Sequence, residues 1–264
     1  MNKILITGGS QGIGFELARA FAKEGKSLFL VAKEDGLLPK AIENLQKEYP
    51  QLSVQGLEIN LADAESANFV YQSALNAHFI PDILVNNAGF GTYGFVWETD
   101  MEKEYEMLQL HILNLYQMTR YFLKEMIERN KGWIINISSI SAFQPNPRLG
   151  TYGASKSFVL QFTRSIDFEL KEAGLAVRTM AVCPTPVINT GFMQEAGMEK
   201  SRTFKNWMVV TPEIVVRDIF QGLKKGKNLV VPGKGLPFLL EIIKRLPEAI
   251  VIWMSAYYLR ETRK

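Results

Sequence analysis

The sequence predicts a doubly wound α/β fold, with one parallel β-sheet of about seven strands and helices on both faces. Short apolar segments, typical of buried strands, alternate with amphipathic segments, typical of helices, from the first residues to about residue 231. Glycine-rich or polar turns follow several of the apolar segments. Ligands of such sheets bind beside the carboxyl ends of the strands, so we expect these turns to share one site.

The composition fits a single globular domain. The chain has 264 residues, of which 47% are hydrophobic and 22% charged, and one α/β domain often reaches about 250 residues. The net charge of +3 is small, and no basic cluster is interleaved with aromatic residues. This pattern argues against nucleic-acid binding.

Three further features favour a cytoplasmic protein. The single cysteine, Cys183, cannot form an intramolecular disulfide and fits a reducing compartment. The first residues, MNKILITGG, lack the long apolar region of a signal peptide. No stretch is long and charge-free enough to predict a membrane span, and the sequence predicts no metal site.

The first strand, Lys3 to Thr7, runs into the glycine-rich turn TGGSQGIG of residues 7–14, and a helical pattern follows. Glycines allow a tight turn and close approach of the backbone, and a helix N-terminus offers free N–H groups to a pyrophosphate. The spacing is TGxxxGxG rather than the commoner GxGxxG. A dinucleotide site is predicted here; the alternative is a structural turn without a ligand.

The end of the second strand, Ser27 to Ala32, bears on the choice of dinucleotide. An acidic residue at this position binds the ribose 2′-hydroxyl of NAD, whereas a basic residue suits the 2′-phosphate of NADP. Here Ala32 occupies the usual acidic position and Lys33 follows it, which favours NADP. Glu34 and Asp35 lie close enough to leave NAD open.

The remaining elements follow the same alternation as far as residue 231. Residues 191–210 lack a strong period, are rich in large apolar side chains such as Phe192 and Trp207, and are interpreted as a lid. Residues 236–264 form an apolar tail that could pack on the core, contact a second subunit or lie on a membrane surface, the last being possible but not favoured. The predicted strands are 52–59, 81–85, 132–138, 176–182 and 228–231, and the predicted helices are 36–49, 65–78, 98–129, 155–172 and 211–225.

Tyr152 and Lys156 form the clearest catalytic candidate. On a helix, residues i and i+4 share a face, so the phenol and the ammonium are expected to point the same way. A free tyrosine has a pKa of about 10, and a neighbouring cation lowers it toward a value useful for acid–base catalysis. Alone, this YxxxK spacing also arises by chance on helices.

Four motifs in the right order make the sequence resemble the short-chain dehydrogenase/reductase family, over roughly residues 1–231. They are TGGSQGIG (7–14), NNAG (86–89), ISS (137–139) and YGASK (152–156). The resemblance implies a Rossmann-type fold that binds NAD(P), with reversible hydride transfer at a carbonyl or alcohol carbon. Residues 1–90 would then mainly bind the dinucleotide, and residues 91–231 would carry the catalytic and substrate-binding part.

The resemblance also assigns roles. Tyr152 would protonate the carbonyl oxygen, Lys156 would bind the nicotinamide ribose and lower the pKa of Tyr152, and Ser139, thirteen residues before the tyrosine, would hydrogen-bond the substrate oxygen. The implied cofactor-binding residues, besides Tyr152 and Lys156, are Gly8, Ser10, Gln11, Gly12, Ile13, Gly14, Lys33, Asn60, Leu61, Asn87, Ala88, Gly89, Pro184, Val187 and Thr190.

The sequence departs from the family pattern at three positions. His111 stands where the family has an asparagine that holds a water for a proton relay to the lysine; a histidine can take that role or be satisfied by helix packing alone. Asn60 replaces the aspartate that contacts the adenine, and Thr185 replaces the glycine of a Pro-Gly turn.

These observations predict an NADP(H)-dependent oxidoreductase acting on a ketone, an aldehyde or the corresponding alcohol. The aromatic loop of Phe90, Tyr93, Phe95 and Trp97, with Phe143 and the predicted lid, suggests an apolar substrate such as a 3-oxoacyl chain or a steroid-like ketone. The surplus apolar surface of residues 98–129 suggests a homodimer or homotetramer. The alternatives are a catalytically idle NADP(H)-binding sensor or scaffold and a nucleotide-sugar epimerase, although the latter usually has about 100 further residues.

Overall fold

The protein contains one seven-stranded parallel sheet of the Rossmann type, with the strand order β3-β2-β1-β4-β5-β6-β7. The computed structural model describes residues 2–205 and 208–261, so the predicted lid residue Trp207 lies outside the described residues. The strands are β1 Lys3–Thr7, β2 Ser27–Ala32, β3 Val54–Glu58, β4 Ile83–Asn86, β5 Trp133–Ile137, β6 Arg178–Val182 and β7 Leu229–Val230.

The winding direction reverses beside β1, which pairs in parallel with both β2 and β4. Ile6 lies opposite Leu30 on one side and Val85 on the other, so the turns after these strands meet at one edge. Such a switch point opens a crevice beyond the carboxyl ends of the strands. The fold therefore brings the glycine-rich turn and the turn after β4 together.

Helices cover both faces of the sheet, and each face has its own apolar core. The inner strands are almost wholly apolar because a parallel sheet is buried on both sides. The helices are α1 Gly12–Lys23, α2 Leu37–Glu48, α3 Ser66–Asn76, α4 Met101–Leu108, α5 Leu115–Glu128, α6 Gly150–Glu172, α7 Phe192–Glu195, α8 Pro212–Lys224, α9 Leu236–Ile243 and α10 Glu248–Leu259.

Two helical features differ from the sequence expectation. Helix α6 begins at Gly150 rather than Ser155, because its first turn is built from small and polar residues that carry no apolar period. The long helix predicted over residues 98–129 is interrupted between α4 and α5 by a π-helical turn, Gln109–Asn114. Such wider turns are rare and occur frequently at functional sites. His111 lies in this turn.

The C-terminal tail forms two helices, α9 and α10, separated at Pro247 as the sequence suggested. Leu236 and Leu240 of α9 join the core on one face of the sheet. Helix α10 is tied to the rest of the chain by the Tyr93 hydroxyl, which donates to the carbonyl of Leu259. Among the described residues, no helix is long and apolar enough to cross a membrane.

Candidate active site

A cavity of about 970 Å³ lies at the carboxyl ends of the strands. Its walls come from the turns after β1, β2, β3, β4, β5 and β6, from the start of α6, from residues 184–204, from Met208 and from the tail helices. This volume lies at the upper end of the range for small-molecule and cofactor sites.

The glycine-rich turn is fixed to the turn after β4 by a compact hydrogen-bond network. The Thr7 hydroxyl accepts hydrogen bonds from the backbone N–H groups of Asn87 and Ala88, at 2.9 and 3.1 Å. The Asn87 side chain donates to the carbonyls of Thr7 and Gly8, at 2.9 and 3.2 Å. These hydrogen bonds fix the two turns relative to each other, and together the turns form one part of the cavity wall.

Gly14 has a different role from the glycines that line the cavity. A Cβ atom at this position would lie 2.1 Å from the Gly8 carbonyl oxygen and 2.6 Å from the Asn87 amide nitrogen. Only glycine allows the first turn of α1 to approach β1 so closely. Gly14 does not line the cavity, and it supports the turn from behind.

Lys33 reaches across the cavity mouth to the predicted lid. Its Nζ lies 3.3 Å from Oε1 of Glu195 at the end of α7, and the Lys33 side chain is 59% exposed. Lys103 of α4 donates to the backbone carbonyl of the same Glu195 at 2.7 Å. Neither Lys103 nor Glu195 was expected at the site, because the two contacts join segments 92 and 162 residues apart.

Asn60 shapes the turn after β3. Its Oδ1 accepts from the backbone N–H of Ala62 at 3.1 Å, and its Nδ2 donates to Asp63 at 3.1 Å. Asn60, Leu61 and Asp63 all line the cavity.

Tyr152 and Lys156 lie on consecutive turns of α6, and both side chains face the cavity as their spacing predicted. Lys156 Nζ is 5.7 Å from the centre of the Tyr152 ring and donates to the Ile137 carbonyl at 3.1 Å. Ser139, at the end of β5, lines the same wall. The Ser138 hydroxyl donates to the Lys156 carbonyl at 2.7 Å, so Ser138 supports α6 while Ser139 faces the cavity.

Burial controls the protonation of this group. It raises the pKa of Tyr152 to about 12, with the nearby Ser139 hydroxyl acting in the opposite direction. Burial is the dominant influence on the Tyr152 phenol in the structure, and the lowering of its pKa by Lys156 that the resemblance implies stays a prediction. Burial also lowers the pKa of Lys156 to about 8, with Cys183 opposing it. At neutral pH the phenol is protonated and most of the lysine is charged.

His111 lies behind the part of the cavity wall that carries Tyr152 and Lys156, and only 1% of its surface is exposed. Its Nδ1 is 2.9 Å from the Ser155 hydroxyl, and that hydroxyl donates its only proton to the Tyr152 carbonyl. Nδ1 must therefore donate to Ser155. Burial, and then the charge of Lys156, lower the pKa of His111 well below its usual value, so the ring is neutral and Nε2 is a free acceptor.

The Nε2 acceptor of His111 has no hydrogen-bond partner among the described residues. A Cβ atom on Gly89 would lie 2.6 Å from Nε2 and 3.4 Å from Lys156 Nζ, so both nitrogens flank the backbone of Gly89. A buried acceptor without a partner is costly. The structure therefore places a buried acceptor with no partner among the described residues beside Lys156.

The apolar part of the cavity differs from the expected one. Phe90 lines it, but Phe95 and Trp97 stack on each other in solvent, with ring centres 4.8 Å apart. Phe143 packs against the core instead. The tail, whose place was left open by the sequence, supplies much of the missing wall through Leu239, Leu240, Ile243, Val251, Met254, Tyr258 and Leu259.

The residues present fit a dinucleotide cofactor. Gly8 and Gly12 adopt positive φ angles of 64° and 56°, which favour glycine, so neither of these two positions places a side chain toward the cavity. Of the residues predicted to contact the cofactor, those that line the cavity are Gly8, Ser10, Gln11, Gly12, Ile13, Lys33, Asn60, Leu61, Asn87, Ala88, Gly89, Tyr152, Lys156, Pro184, Val187 and Thr190.

Fold and site together are typical of an oxidoreductase that binds a dinucleotide, with Tyr152, Lys156 and Ser139 lining one cavity. The family model for short chain dehydrogenase matches residues 2–201. Dehydrogenase/reductase SDR family member 4 from Sus scrofa is 30% identical over 203 residues, which cover 76% of this chain and 71% of that protein. The chain belongs to the short-chain dehydrogenase family and is an oxidoreductase of that family.

Two solved structures share the fold. A short-chain dehydrogenase from Sphingobium yanoikuyae in complex with NADPH has a TM-score of 0.80 and 24% identity, covering 94% of this chain and 98% of the other. A short chain dehydrogenase/reductase from Burkholderia phymatum in complex with NAD has a TM-score of 0.81 and 20% identity, covering 100% of this chain and 98% of the other.

Proposed function

We propose that this protein is an NADP(H)-dependent oxidoreductase that reduces the carbonyl group of an apolar ketone or aldehyde, or oxidises the corresponding secondary alcohol. The observation that carries the proposal is the placement of Tyr152, Lys156 and Ser139 in one cavity whose lining also includes many apolar side chains. The polar side chains suit a carbonyl oxygen, and the apolar lining suits the rest of such a substrate.

The glycine-rich turn and the N-terminus of α1 would hold the pyrophosphate, because a helix N-terminus stabilises negative charge. Solved structures with this fold contain NADPH in one case and NAD in another, so the fold alone does not decide the cofactor. Lys33 would bind the 2′-phosphate and thereby favour NADP over NAD. Asn87 to Gly89 would line the adenosine side, and Val187 the nicotinamide carboxamide. When bound, the cofactor supplies the hydride for reduction and accepts it in the reverse direction.

Three side chains would perform the proton chemistry. Tyr152 donates its phenolic proton to the carbonyl oxygen; its raised pKa keeps that proton available at neutral pH. The Ser139 hydroxyl donates a hydrogen bond to the same oxygen and stabilises the charge that develops there. Lys156, which is mostly protonated at neutral pH, lies next to Tyr152 and would bind the ribose hydroxyls of the cofactor.

His111 would complete a proton relay to Lys156. Its neutral ring presents a lone pair at Nε2, on the side of Gly89 that faces Lys156. That lone pair can accept a hydrogen bond from Lys156 or from a water that bridges the two nitrogens. In the family that the sequence resembles, an asparagine at this position helps to hold the relay water.

The substrate would be a medium or large apolar carbonyl compound, such as a 3-oxoacyl chain or a steroid-like ketone. Besides the tail residues, Phe192, Met198 and Phe204 line the cavity, so the space beyond Tyr152 is largely apolar. Residues 191–210 would act as a lid, since Glu195 connects this segment to Lys33 and Lys103 on opposite sides of the cavity mouth.

The wider organisation follows from the same assignment. Residues 1–264 would form one domain, in which residues 1–90 mainly bind the dinucleotide and residues 91–231 carry the catalytic and substrate part. Met101, Tyr105, Leu113 and Tyr116 are exposed on or near α4 and α5 and would form a homodimer or homotetramer contact. The free, buried Cys183 suits the reducing cytoplasm.

A catalytically idle NADP(H)-binding sensor or scaffold is the alternative. Its supporting observation is that His111 replaces the relay asparagine. Against it stands the retention of Tyr152, Lys156 and Ser139 at the cavity wall.

One experiment separates the two functions. NADPH absorbance is followed against a panel of ketones, aldehydes and 3-oxoacyl thioesters, with NADH as the control cofactor, while NADPH binding is measured by fluorescence. We expect turnover of at least one apolar carbonyl compound, reduced by about 10²–10⁴-fold in Tyr152→Phe with NADPH binding retained. Tight NADPH binding without turnover of any carbonyl compound would leave the sensor as the function.

A further inference from the structure

The tail helices α9 and α10 have apolar residues on both sides of the cavity wall that they form. On the inner side, Ile243 of α9 and Met254 and Tyr258 of α10 line the cavity. On the outer side, Phe238 is 73% exposed and Trp253 is 66% exposed. A helix that is apolar around its whole circumference is normally covered on every side. Among the residues that the structure describes, Arg202 lies over Tyr257, and the other large apolar residues on the outer side stay largely exposed.

The outer residues form one stripe on each helix. Phe238 and Ile242 are four residues apart on α9, and Ile250, Trp253 and Tyr257 are spaced by three and four residues on α10. Residues at these spacings lie on the same helical face. The exposed apolar surface of the tail is therefore organised, and it includes tryptophan and tyrosine, the residues enriched where membrane and water meet.

The net charge of the chain is concentrated in the same segment. Residues 234–264 contain six Lys and Arg and three Asp and Glu, which equals the net charge of +3 of the whole chain. Two of these cations, Arg263 and Lys264, lie outside the described residues. Arg245 lies just after α9 and Arg260 directly follows α10, whereas the ammonium of Lys244 pairs with Glu241 at 2.8 Å. Apolar stripes whose helix ends carry cations complement an anionic lipid surface.

A second copy of the chain is a poorer occupant of this surface. Pairing two tails would bring two segments of the same positive net charge together, which opposes association. A separate exposed apolar surface on α4 and α5 is available for subunit contacts.

We propose that the outer stripes of α9 and α10 dock the protein on an anionic phospholipid surface. The tail wall is one helix thick, with Trp253 and Tyr257 on its outer side and their neighbours Met254 and Tyr258 in the cavity. Docking therefore places the apolar end of the cavity next to the acyl chains of the bilayer. This goes beyond the proposed reductase function, because binding to vesicles needs no turnover.

Vesicle sedimentation of the full-length protein tests the proposal. Vesicles of phosphatidylcholine with phosphatidylglycerol are compared with vesicles of phosphatidylcholine alone, at low and high salt. We expect at least tenfold stronger binding to the anionic vesicles, weakening as salt screens the attraction. The double substitution Ile250→Ser and Trp253→Ser should reduce that binding at least tenfold, whereas Trp97→Ser, which removes a tryptophan that is 76% exposed elsewhere, should not.

A charge substitution tests whether the cations of the tail contribute to vesicle binding, because it removes no apolar surface. Arg245→Glu should weaken binding to anionic vesicles by on the order of tenfold, since each surface cation near the membrane adds about fivefold. Lys124→Glu on the exposed side of α5 is its control. All variants should retain NADPH binding.

Three results would overturn the proposal: equal binding to both vesicle types, equal loss in the control variants, or no vesicle binding by the wild-type protein. If instead the free protein is an oligomer that Ile250→Ser with Trp253→Ser converts to monomers, a second copy covers the tail. The reductase function would survive any of these results.

Discussion

The buried charge of Lys156 should destabilise the folded protein, although the proposed turnover requires this residue. Its ammonium is held in a site where only 5% of the residue is exposed, and burial lowers its pKa from 10.5 to about 8. The substitution Lys156→Met keeps a long unbranched side chain and removes the charge. We therefore expect a variant that is more stable than the wild type at neutral pH but has no measurable turnover.

The expected size follows from the pKa and one hydrogen bond. Burial lowers the pKa of Lys156 from 10.5 to about 8, and each pKa unit corresponds to 1.36 kcal/mol. Keeping the ammonium charged in the folded protein therefore costs about 3 kcal/mol of folding free energy. Methionine cannot donate to the Ile137 carbonyl, and an unsatisfied carbonyl costs about 1 kcal/mol. The variant should gain about 2 kcal/mol in the free energy of unfolding at pH 7.

The pH dependence has a definite sign. Between about pH 8 and pH 10.5 the unfolded chain keeps the Lys156 proton while the folded protein loses it, so the unfolded state binds more protons. Stability from this group therefore rises with pH across that window, and below about pH 8 the full cost is present. The advantage of Lys156→Met should shrink as the pH rises from 7 to 10.

Urea unfolding at several pH values measures both effects, with wild type and variant compared at each pH so that other titrating groups cancel. Lys124→Met, on the exposed side of α5, is the control and should leave stability within about 0.5 kcal/mol of wild type. A Lys156→Met variant that is less stable than wild type at pH 7, or a stability difference that stays constant up to pH 10, would contradict this prediction.

Three further predictions concern the cofactor and the relay. Lys33→Asp should shift preference toward NADH by at least tenfold in the ratio of dissociation constants, and an unchanged ratio would remove Lys33 from the cofactor site. His111→Ala should reduce kcat tenfold or more without weakening NADPH binding, and His111→Asn should restore most of it; equal loss in both variants would indicate a packing role. Gly14→Ala should abolish NADPH binding and destabilise the protein by about 3 kcal/mol, because the added methyl would lie 2.1 Å from the Gly8 carbonyl, whereas Gly150→Ala, with open space at its Cβ, should be tolerated in calorimetry and binding assays.

The sheet could be predicted well because its signal is local. Strands β1 and β2 are continuous apolar runs that coincide with the predicted segments, as expected for strands buried on both sides. The edge strand β3, Val54–Glu58, is shorter than the predicted segment 52–59. Its residues do not alternate regularly between buried and exposed positions, so the pattern gives no clear signal for its ends. Two of the four signature motifs fall where β4 and β5 end, so sequence order and sheet order together place them at one edge.

The missing parts depend on contacts between distant residues. Lys33 and Glu195 are 162 residues apart, and nothing in either neighbourhood indicates that the other is near. The hydrogen bond of His111 to Ser155 spans 44 residues and decides which ring nitrogen carries the proton. The π-helical turn is likewise hidden, because the apolar period of the long helix continues through it with only a small displacement.

The features that raise the energy of this fold lie next to one another. The π-helical turn presents His111 toward α6, and its Nε2, which has no partner among the described residues, lies beside Gly89. The buried ammonium of Lys156 lies next to the same side of that glycine. Each of these features is unfavourable for folding alone. A ligand or water that accepts from Lys156 and donates to His111 would relieve both buried groups at once. The cost therefore falls where the proposed chemistry needs it, which is the pattern expected of a functional site rather than of imperfect packing.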